Sequence, residues 1–315
     1  MKMKSKIILT ALFFLLSSGV FSQTLAERLG YKATDRLLII NCDDVGMCHS
    51  SNLAVIDGME NGVITSGTIM VPCPWFNEIA EYARSHPEKN FGIHLTHTAE
   101  WKFYRWRPLK SPESVRGLYD EEGYMWRSVE EVYANSSPQE ALTEGRAQIK
   151  KALDAGIPVT HLDSHMGTMQ FLPDYLQTYA TLALEFNLPL RMAAQSTMER
   201  FGFPALRKEF QEKGIVFTDW FIYDELENYN DVKTFWINII KNLKPGVTEL
   251  FMHASKESDE LKAITGSWKE RVLEAEVFTS DPEIRKLLQD EKIILIGYRP
   301  LMELQRKITT QNQKL

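Results

Sequence analysis

Short apolar runs alternate along the chain with longer stretches in which apolar residues recur every three or four positions. Buried parallel strands read as continuous apolar runs, whereas helices that cover a sheet show the longer period. The runs predict strands at 36–42, 65–71, 91–96, 158–162, 188–192, 215–218, 247–253 and 293–298. The longer stretches predict helices at 50–62, 75–86, 138–155, 173–186, about 197–213, 231–243, about 268–277 and 282–290. This alternation places the chain in the α/β class.

The number of strand–helix units indicates the architecture. Units of this length build parallel sheets, and so many in one chain predict a closed or nearly closed (β/α) barrel of seven to eight parallel strands. An open doubly wound sheet is the alternative. No linker or low-complexity tract interrupts the pattern, so residues 23–315 are interpreted as one domain with an aromatic-rich insertion at about 98–136. In either architecture, ligands bind at the carboxyl ends of the strands.

Residues 1–22 have the features of a signal peptide. Lys2, Lys4 and Lys6 precede the apolar run IILTALFFLL, and small and polar residues follow, with a predicted cleavage site after Ser22. The run is about half of the roughly 20 residues that a membrane-spanning helix needs, so a retained N-terminal anchor helix is the less favoured alternative. We therefore expect an exported protein, periplasmic or secreted, without stable membrane insertion.

The charge of the chain restricts its partners. The formal net charge is −6, and residues 1–22 hold three lysines and no acidic residue, so residues 23–315 carry −9. Nucleic acids need a basic footprint, which this balance excludes, whereas a small carbohydrate or glycan partner stays open. Cys42, Cys48 and Cys73 lack the spacing of a structural zinc site, and a single disulfide among them is left open.

Chemically reactive side chains lie at the predicted carboxyl ends of strands. They are Asp43 and Asp44 after the first strand, His94 near the end of the third, His161 and His165 around the end of the fourth, and His253 at the end of the seventh. Taken singly, an acidic turn or a core histidine has an ordinary structural explanation. Because parallel strands end at one rim, however, we expect these side chains to converge there.

Such a combination suits a metal-dependent hydrolase. One carboxylate and two imidazoles form an open metal site with positions left for water and substrate. A second carboxylate can act as general base, and a separate histidine can protonate the leaving group. The ligand types favour zinc as the divalent ion, and magnesium is the alternative. These groups together would hydrolyse an amide or an ester.

Six motifs occur in a fixed order along the chain: LLIINCDDVGM, NGVITSGTIMV, FGIHLT, THLDSH, LPLR and ELFMH. In this order they resemble the YdjC-like carbohydrate deacetylase family, which includes chitin-disaccharide deacetylase and is related to NodB-type polysaccharide deacetylases. The resemblance runs from about Arg36 to Tyr298. It implies a distorted (β/α) barrel and a metal-dependent hydrolase that removes N-acetyl groups from amino sugars in oligosaccharides or glycans.

The resemblance also assigns roles to individual residues. It implies that one divalent ion is held by Asp44, His94 and His165. It makes Asp43 the catalytic aspartate, and His253 corresponds to the histidine that follows the late strand. We expect His253 to act as the general acid, because three protein ligands already suffice for a catalytic metal.

Two further residues have less definite roles. His161 is expected to orient a ligand or line the site, and Arg191 in LPLR to pair with Asp43 or contact substrate, with a structural salt bridge as its alternative. The chain also departs from the family pattern. Val45 stands where members usually carry Phe, and Met166 follows the last histidine of HLDSH, so the shape of the pocket is expected to differ.

Three functions are compatible with these residues. The leading hypothesis is N-deacetylation of amino sugars. A metallo-esterase or amidase that acts on another acyl group would use the same site, and a non-catalytic glycan-binding relative would need neither Asp43 nor His253. The aromatic residues of the insertion either stack on sugar rings or pack the insertion onto the barrel.

Overall fold

The computed structural model describes residues 23–222 and 231–312, so the predicted signal peptide lies outside the described residues. Within them, seven parallel strands form one sheet: β1 Arg36–Val45, β2 Ser66–Ile69, β3 Phe91–Leu95, β4 Val159–Ser164, β5 Trp220–Ile222, β6 Gly246–Met252 and β7 Ile294–Leu295. The strand order is β4-β3-β2-β1-β6-β5, and β7 pairs with the first half of β1. The sheet curls into a half-barrel, which confirms the predicted parallel α/β barrel.

Helices connect the strands and pack against the sheet. They are α1 Leu25–Arg28, α2 His49–Asn61, α3 Phe76–Ser85, α4 Pro112–Val115, α5 Val129–Asn135, α6 Pro138–Asp154, α7 Pro173–Phe186, α8 Gln195–Arg200, α9 Leu206–Glu212, α10 Val232–Lys241, α11 Asp259–Ile264, α12 Trp268–Thr279, α13 Pro282–Asp290 and α14 Arg299–Asn312. In the described part of the chain, none is long and apolar enough to cross a membrane. The short helices α4 and α5 belong to the aromatic-rich insertion.

Two predicted strands differ from the structure. The segment 188–192 makes one isolated pairing, between Leu190 and Leu162 of β4, and the segment 215–218 is followed by β5 instead of forming a strand itself. Both segments still carry hydrogen bonds across the open side of the half-barrel. The Leu190 N–H donates to the Val216 carbonyl oxygen at 3.1 Å.

The predicted helix at about 197–213 is two helices, α8 and α9. Gly202 between them has φ +86°, in the left-handed region where glycine is favoured, and it ends α8. Pro204 follows and lacks the N–H that a continuous helix would need.

The inner, concave side of the sheet changes from apolar to polar along β1. Side chains alternate along a strand, so residues two apart share a side. In β1, Leu37 and Ile39 pack with Tyr298 in an apolar cluster, and the same side of the strand continues with Asn41 and Asp43. The alternate residues join the larger core between sheet and helices. The polar layer therefore lies at the carboxyl ends of the strands.

Helix α6 fixes one part of this rim. It begins at a capping box, in which Ser137 accepts a hydrogen bond from the Glu140 N–H and Glu140 accepts one from the Ser137 N–H. Nearly two turns before its end, Gln148 binds both polar groups of the Thr96 peptide backbone, at 2.9 and 2.6 Å. The end of β3 is thereby held in place, two residues after His94.

The three cysteines do not form a disulfide in this structure. Cys42, Cys48 and Cys73 are free thiols, and each is buried. Cys48 lies 3.2 Å from the hydroxyl oxygens of Ser50 and Ser51 at the start of α2. Burial raises the pKa of Cys42 and Cys73, so both stay protonated at neutral pH.

Gly92 in β3 provides a test of how tightly the concave side is packed. A Cβ there would lie 2.5 Å from the His161 ring, which is itself stacked on Tyr298 at 3.7 Å. We expect Gly92→Ala to lower the free energy of unfolding by about 1–3 kcal/mol, because the ring has to move. Gly266→Ala is the matched control, since its Cβ would meet nothing within 4 Å. Equal midpoints of urea unfolding for the two variants would contradict the expectation.

Candidate metal centre

The end of β1 brings two consecutive carboxylates to the same site. In a regular strand, neighbouring side chains point to opposite faces. Here the pairing with β2 shifts register between Cys42 and Val45, and Asp44 has φ +58°, in the left-handed region. This conformation costs about 1–3 kcal/mol and persists only where the surroundings impose it. The irregularity allows Asp43 and Asp44 both to reach the polar layer.

Asp44, His94 and His165 bring three potential ligand atoms together. Asp44 Oδ1 lies 3.3 Å from His94 Nε2 and 3.3 Å from His165 Nδ1, and these two nitrogen atoms are 3.3 Å apart. A tetrahedral zinc ion with ligands at about 2.0–2.1 Å separates its ligand atoms by about 3.3–3.4 Å. These buried residues could therefore hold one metal ion, and we call them the candidate metal centre.

The second polar atom of each of these side chains is occupied by another residue. The Arg271 Nη2 donates to Asp44 Oδ2 at 2.7 Å. The Asp163 carboxylate lies 2.6 Å from His94 Nδ1, and the Glu100 carboxylate lies 3.0 Å from His165 Nε2. Carboxylates placed in this way accept the N–H of a metal-bound imidazole and leave its other nitrogen free.

The electrostatics of the candidate metal centre favour positive charge. Burial alone would lower the pKa of His94 and His165, but Asp163 raises the pKa of His94 to about 10, and Glu100 raises that of His165 to about 9. Burial opposes ionisation of Asp44 as well, yet Arg271 holds its pKa well below the usual range. Asp44 Oδ1 is buried and makes no well-aligned hydrogen bond with the described residues, and it faces the two imidazole nitrogens at 3.3 Å. This oxygen and the two nitrogens suit a cation.

Asp43 lies beside the candidate metal centre and is held by Arg191. The two guanidinium nitrogens Nη1 and Nη2 donate to its two carboxylate oxygens at 2.6 and 2.7 Å. Asn41 adds a hydrogen bond to Asp43 Oδ1 at 2.8 Å. Burial disfavours the charged form, but Arg191 holds the pKa of Asp43 well below its usual range. Asp43 is therefore ionised and fixed in orientation.

Arg191 joins several parts of the site. Besides Asp43, it contacts Asp163 through Nη1 at 3.0 Å and donates from Nε to Glu249 at 2.8 Å. Glu249 also accepts a hydrogen bond from the Tyr298 hydroxyl at 2.5 Å, and burial raises its pKa to about 7 although Arg191 opposes the shift. Because Arg191 is buried, its contacts are those of a supporting residue.

His253 follows β6 at the same rim. It is partly exposed, its backbone N–H donates to Glu274 at 2.8 Å, and its ring lies edge-on to Phe251. Within the described residues, neither ring nitrogen has a hydrogen-bond partner. Removal from water lowers the pKa of His253 to about 4, although Asp44 opposes the shift. The imidazole is thus neutral at pH 7 in this state and available to a ligand.

His161 occupies a deeper layer. Its ring is fully buried and stacked on Tyr298 with an interplanar angle of 4°, and Nδ1 lies 2.9 Å from the Thr160 hydroxyl. Burial holds its pKa well below the usual range. His161 is therefore a neutral part of the packing beneath the polar layer, without access to a substrate from solvent.

Part of the aromatic insertion borders the candidate metal centre. The ring centroids of Trp101 and Trp106 each lie 6.4 Å from that of His165, and they are 5.4 Å from each other. Trp106 is buried, whereas Trp101 and Tyr104 are partly exposed. The insertion thus both packs onto the barrel and presents an aromatic surface beside the site.

Four supporting residues were not predicted from the sequence. Asp163 lies two residues after His161 and hence on the same side of β4, and this spacing is the signal that could have identified it. Glu249 is the first residue of the motif ELFMH, and the sequence analysis gave it no role. Glu100 and Arg271 lie outside the six motifs and carried no sequence signal of their own.

Comparison with known proteins assigns the chain to a family. Residues 37–290 match the model of the YdjC-like protein family. A carbohydrate deacetylase of Thermoanaerobacter pseudethanolicus is 30% identical over 265 residues, which cover 84% of this chain and 98% of that protein. A chitooligosaccharide deacetylase of Yersinia enterocolitica is 27% identical over 274 residues, with 84% and 97% covered.

A solved structure supports the same relationship. It is that of an Enterococcus faecalis V583 protein to which cleavage of cellobiose phosphate has been ascribed. The two chains share 27% sequence identity and superpose with a TM-score of 0.71, covering 85% of this chain and 99% of the other. The protein therefore belongs to the YdjC-like family, as its ordered motifs indicated.

Proposed function

We propose that the protein is a metal-dependent hydrolase that removes N-acetyl groups from amino sugars in oligosaccharides or glycans. The observation that carries the proposal is the triangle of ligand atoms from Asp44, His94 and His165, with an ionised Asp43 next to it. Relatives of similar length named carbohydrate and chitooligosaccharide deacetylases support the substrate class. Zinc fits the donor set best, and magnesium is the alternative. The signal-peptide features of residues 1–22 support export to the periplasm or the medium.

In the proposed reaction, Asp43 accepts a proton from the attacking water. Its orientation towards the site comes from the bidentate contact with Arg191, which also keeps it ionised. A divalent ion bound by Asp44, His94 and His165 would polarise the acetamide carbonyl and lower the pKa of bound water. Trp101, partly exposed beside His165, offers a face on which a sugar ring can stack.

His253 is proposed to protonate the departing amine. Because its imidazole is neutral in the free site, it has to gain a proton before it can act as an acid. His253 takes this proton from solvent, and the negative charge of the tetrahedral adduct favours the uptake, since a nearby negative charge raises the pKa of a histidine. Asp43 releases the proton of the attacking water to solvent after the amine has left. Its partial exposure allows contact with the leaving group.

Acetate release is the direct test of the proposed function. We expect the purified protein to release acetate from N-acetylated oligosaccharides, to lose this activity after chelation and to regain it with zinc. Asp43→Asn keeps the side-chain shape but cannot accept a proton, so turnover should fall by about 10²–10⁴-fold while bound metal is retained. Acetate release that persists at full rate after complete metal removal would overturn the metal dependence, and an Asp43→Asn rate within threefold of wild type would remove the base role.

Metal binding is expected to release protons. The raised pKa values mean that His94 and His165 are protonated at pH 7.5 without metal, whereas ligation requires their neutral forms. About two protons should leave per zinc ion at pH 7.5, and the number should fall as the pH rises through 9 and 10. Titration calorimetry in two buffers of different ionisation enthalpy measures this number. His165→Ala should release about one proton fewer; a release close to zero from the unmodified protein at pH 7.5 contradicts the prediction.

The role of His253 can be separated from that of the metal ligands. His253→Ala should retain zinc, because three other side chains supply the ligand atoms. Its rate should fall by about 10²-fold or more on an N-acetyl amide but much less on an activated acetyl ester, whose leaving group needs little protonation. Equal losses on both substrates, or loss of bound metal, would show that His253 is not the general acid.

A further inference from the structure

The aromatic-rich insertion reaches the candidate metal centre through one carboxylate. Glu100, at the start of the insertion, lies 3.0 Å from His165 Nε2, on the opposite side of the ring from the nitrogen that faces Asp44 and His94. When a neutral imidazole donates its Nε2–H to a carboxylate, its Nδ1 is unprotonated and available as a ligand. Glu100 therefore selects the tautomer of neutral His165 that a metal ion requires.

The backbone on both sides of Glu100 is fixed by the insertion itself. The Ala99 N–H donates to the Trp126 carbonyl oxygen at 2.7 Å, and the Ala99 carbonyl oxygen accepts from Arg105 Nε at 3.0 Å. On the other side, Arg127 donates to the Trp101 carbonyl oxygen at 3.0 Å. These hydrogen bonds place the Glu100 side chain against the barrel.

Glu100 differs in its surroundings from Asp163, the carboxylate that supports His94. Asp163 is fully buried on β4 and shares its oxygens with Thr68 and Arg191 as well as His94. Among the described residues, Glu100 forms its hydrogen bond with His165 alone, and its side chain is 19% exposed. Its contacts thus serve one histidine, and its removal would leave the core of the barrel intact.

We propose that Glu100 is a positioning residue of the metal centre, which orients His165 and raises its basicity as a ligand. The inference rests on the proposed metal-dependent function and extends it to the insertion. The segment 98–136 is then a component of the metal centre in addition to an aromatic surface beside it. Trp101, next to Glu100, is held near the metal ligands by the same contact.

Zinc affinity tests this role without relying on activity. Zinc dissociation constants of the purified protein and its variants are measured by competition with a chromophoric chelator. Loss of a carboxylate that supports a metal-bound histidine typically weakens metal binding by about 10–100-fold, and we expect this range for Glu100→Ala. Glu100→Gln can still accept the Nε2–H but lacks the charge, so we expect a loss of about 10-fold. Glu121→Gln is the matched control, because Glu121 lies in the same insertion, is exposed and forms no hydrogen bond or ion pair with the described residues.

Cobalt provides a second measurement that a purely structural role would not affect. The visible absorption of the Co²⁺-loaded protein should shift in Glu100→Gln and stay unchanged in Glu121→Gln, since only Glu100 contacts a proposed metal ligand. Zinc affinities of both Glu100 variants within twofold of the control would overturn the role of Glu100. If Glu100→Ala fails to fold, the comparison of Glu100→Gln with Glu121→Gln decides alone. Absence of zinc and cobalt binding by the unmodified protein would instead overturn the proposed function.

Discussion

The site depends on one buried guanidinium group. Arg191 contacts Asp43, Asp163 and Glu249, and the faces of Phe221 and Phe251 lie 5.2 Å from its central carbon atom. Each carboxylate would be unstable in this interior without the cation, and the cation would be unstable without them. Breaking such a buried pair typically costs about 3–5 kcal/mol, because an uncompensated charge remains. The exposed ion pair of Arg146 and Glu185 has similar N–O distances. Exposed ion pairs of this kind contribute only about 0–1 kcal/mol to the free energy of unfolding.

This arrangement ties the proposed base to the proposed metal ligands. Asp163 binds Arg191 with one oxygen and His94 with the other, so a displacement of Arg191 reaches Asp43 and His94 together. A polar layer of this kind can be buried because nearly every polar group in it has a hydrogen-bond or ion-pair partner. Asp44 Oδ1 is an exception, and it is the oxygen that points at the two imidazoles. The unsatisfied atom marks the position where a ligand ion would complete the network.

The sequence predicted elements and site residues correctly where the spacing of apolar residues, or a position at the end of a strand, indicated them. The run 36–42 predicted β1, and the position of His94 at the end of β3 followed from the topology of parallel barrels. The structure extends β1 to Val45, because Asp43 finds its partner Arg191 inside the barrel. The stretch 215–222 is apolar almost throughout, so the pattern could not indicate which part pairs with β6. Contacts such as that of Glu100 with His165 join distant segments through side chains, and no local pattern encodes them.

The left-handed backbone at Asp44 restricts how this position can change in evolution. Outside glycine, aspartate and asparagine tolerate that conformation best, while longer or branched side chains do not. Glutamate, the other acidic residue, is disfavoured by this backbone conformation, independently of the greater length of its side chain. Asparagine suits the backbone but lacks the charge that Arg271 and a cation would require. The position is thus constrained twice, by chain geometry and by ligand chemistry, and single substitutions cannot satisfy both.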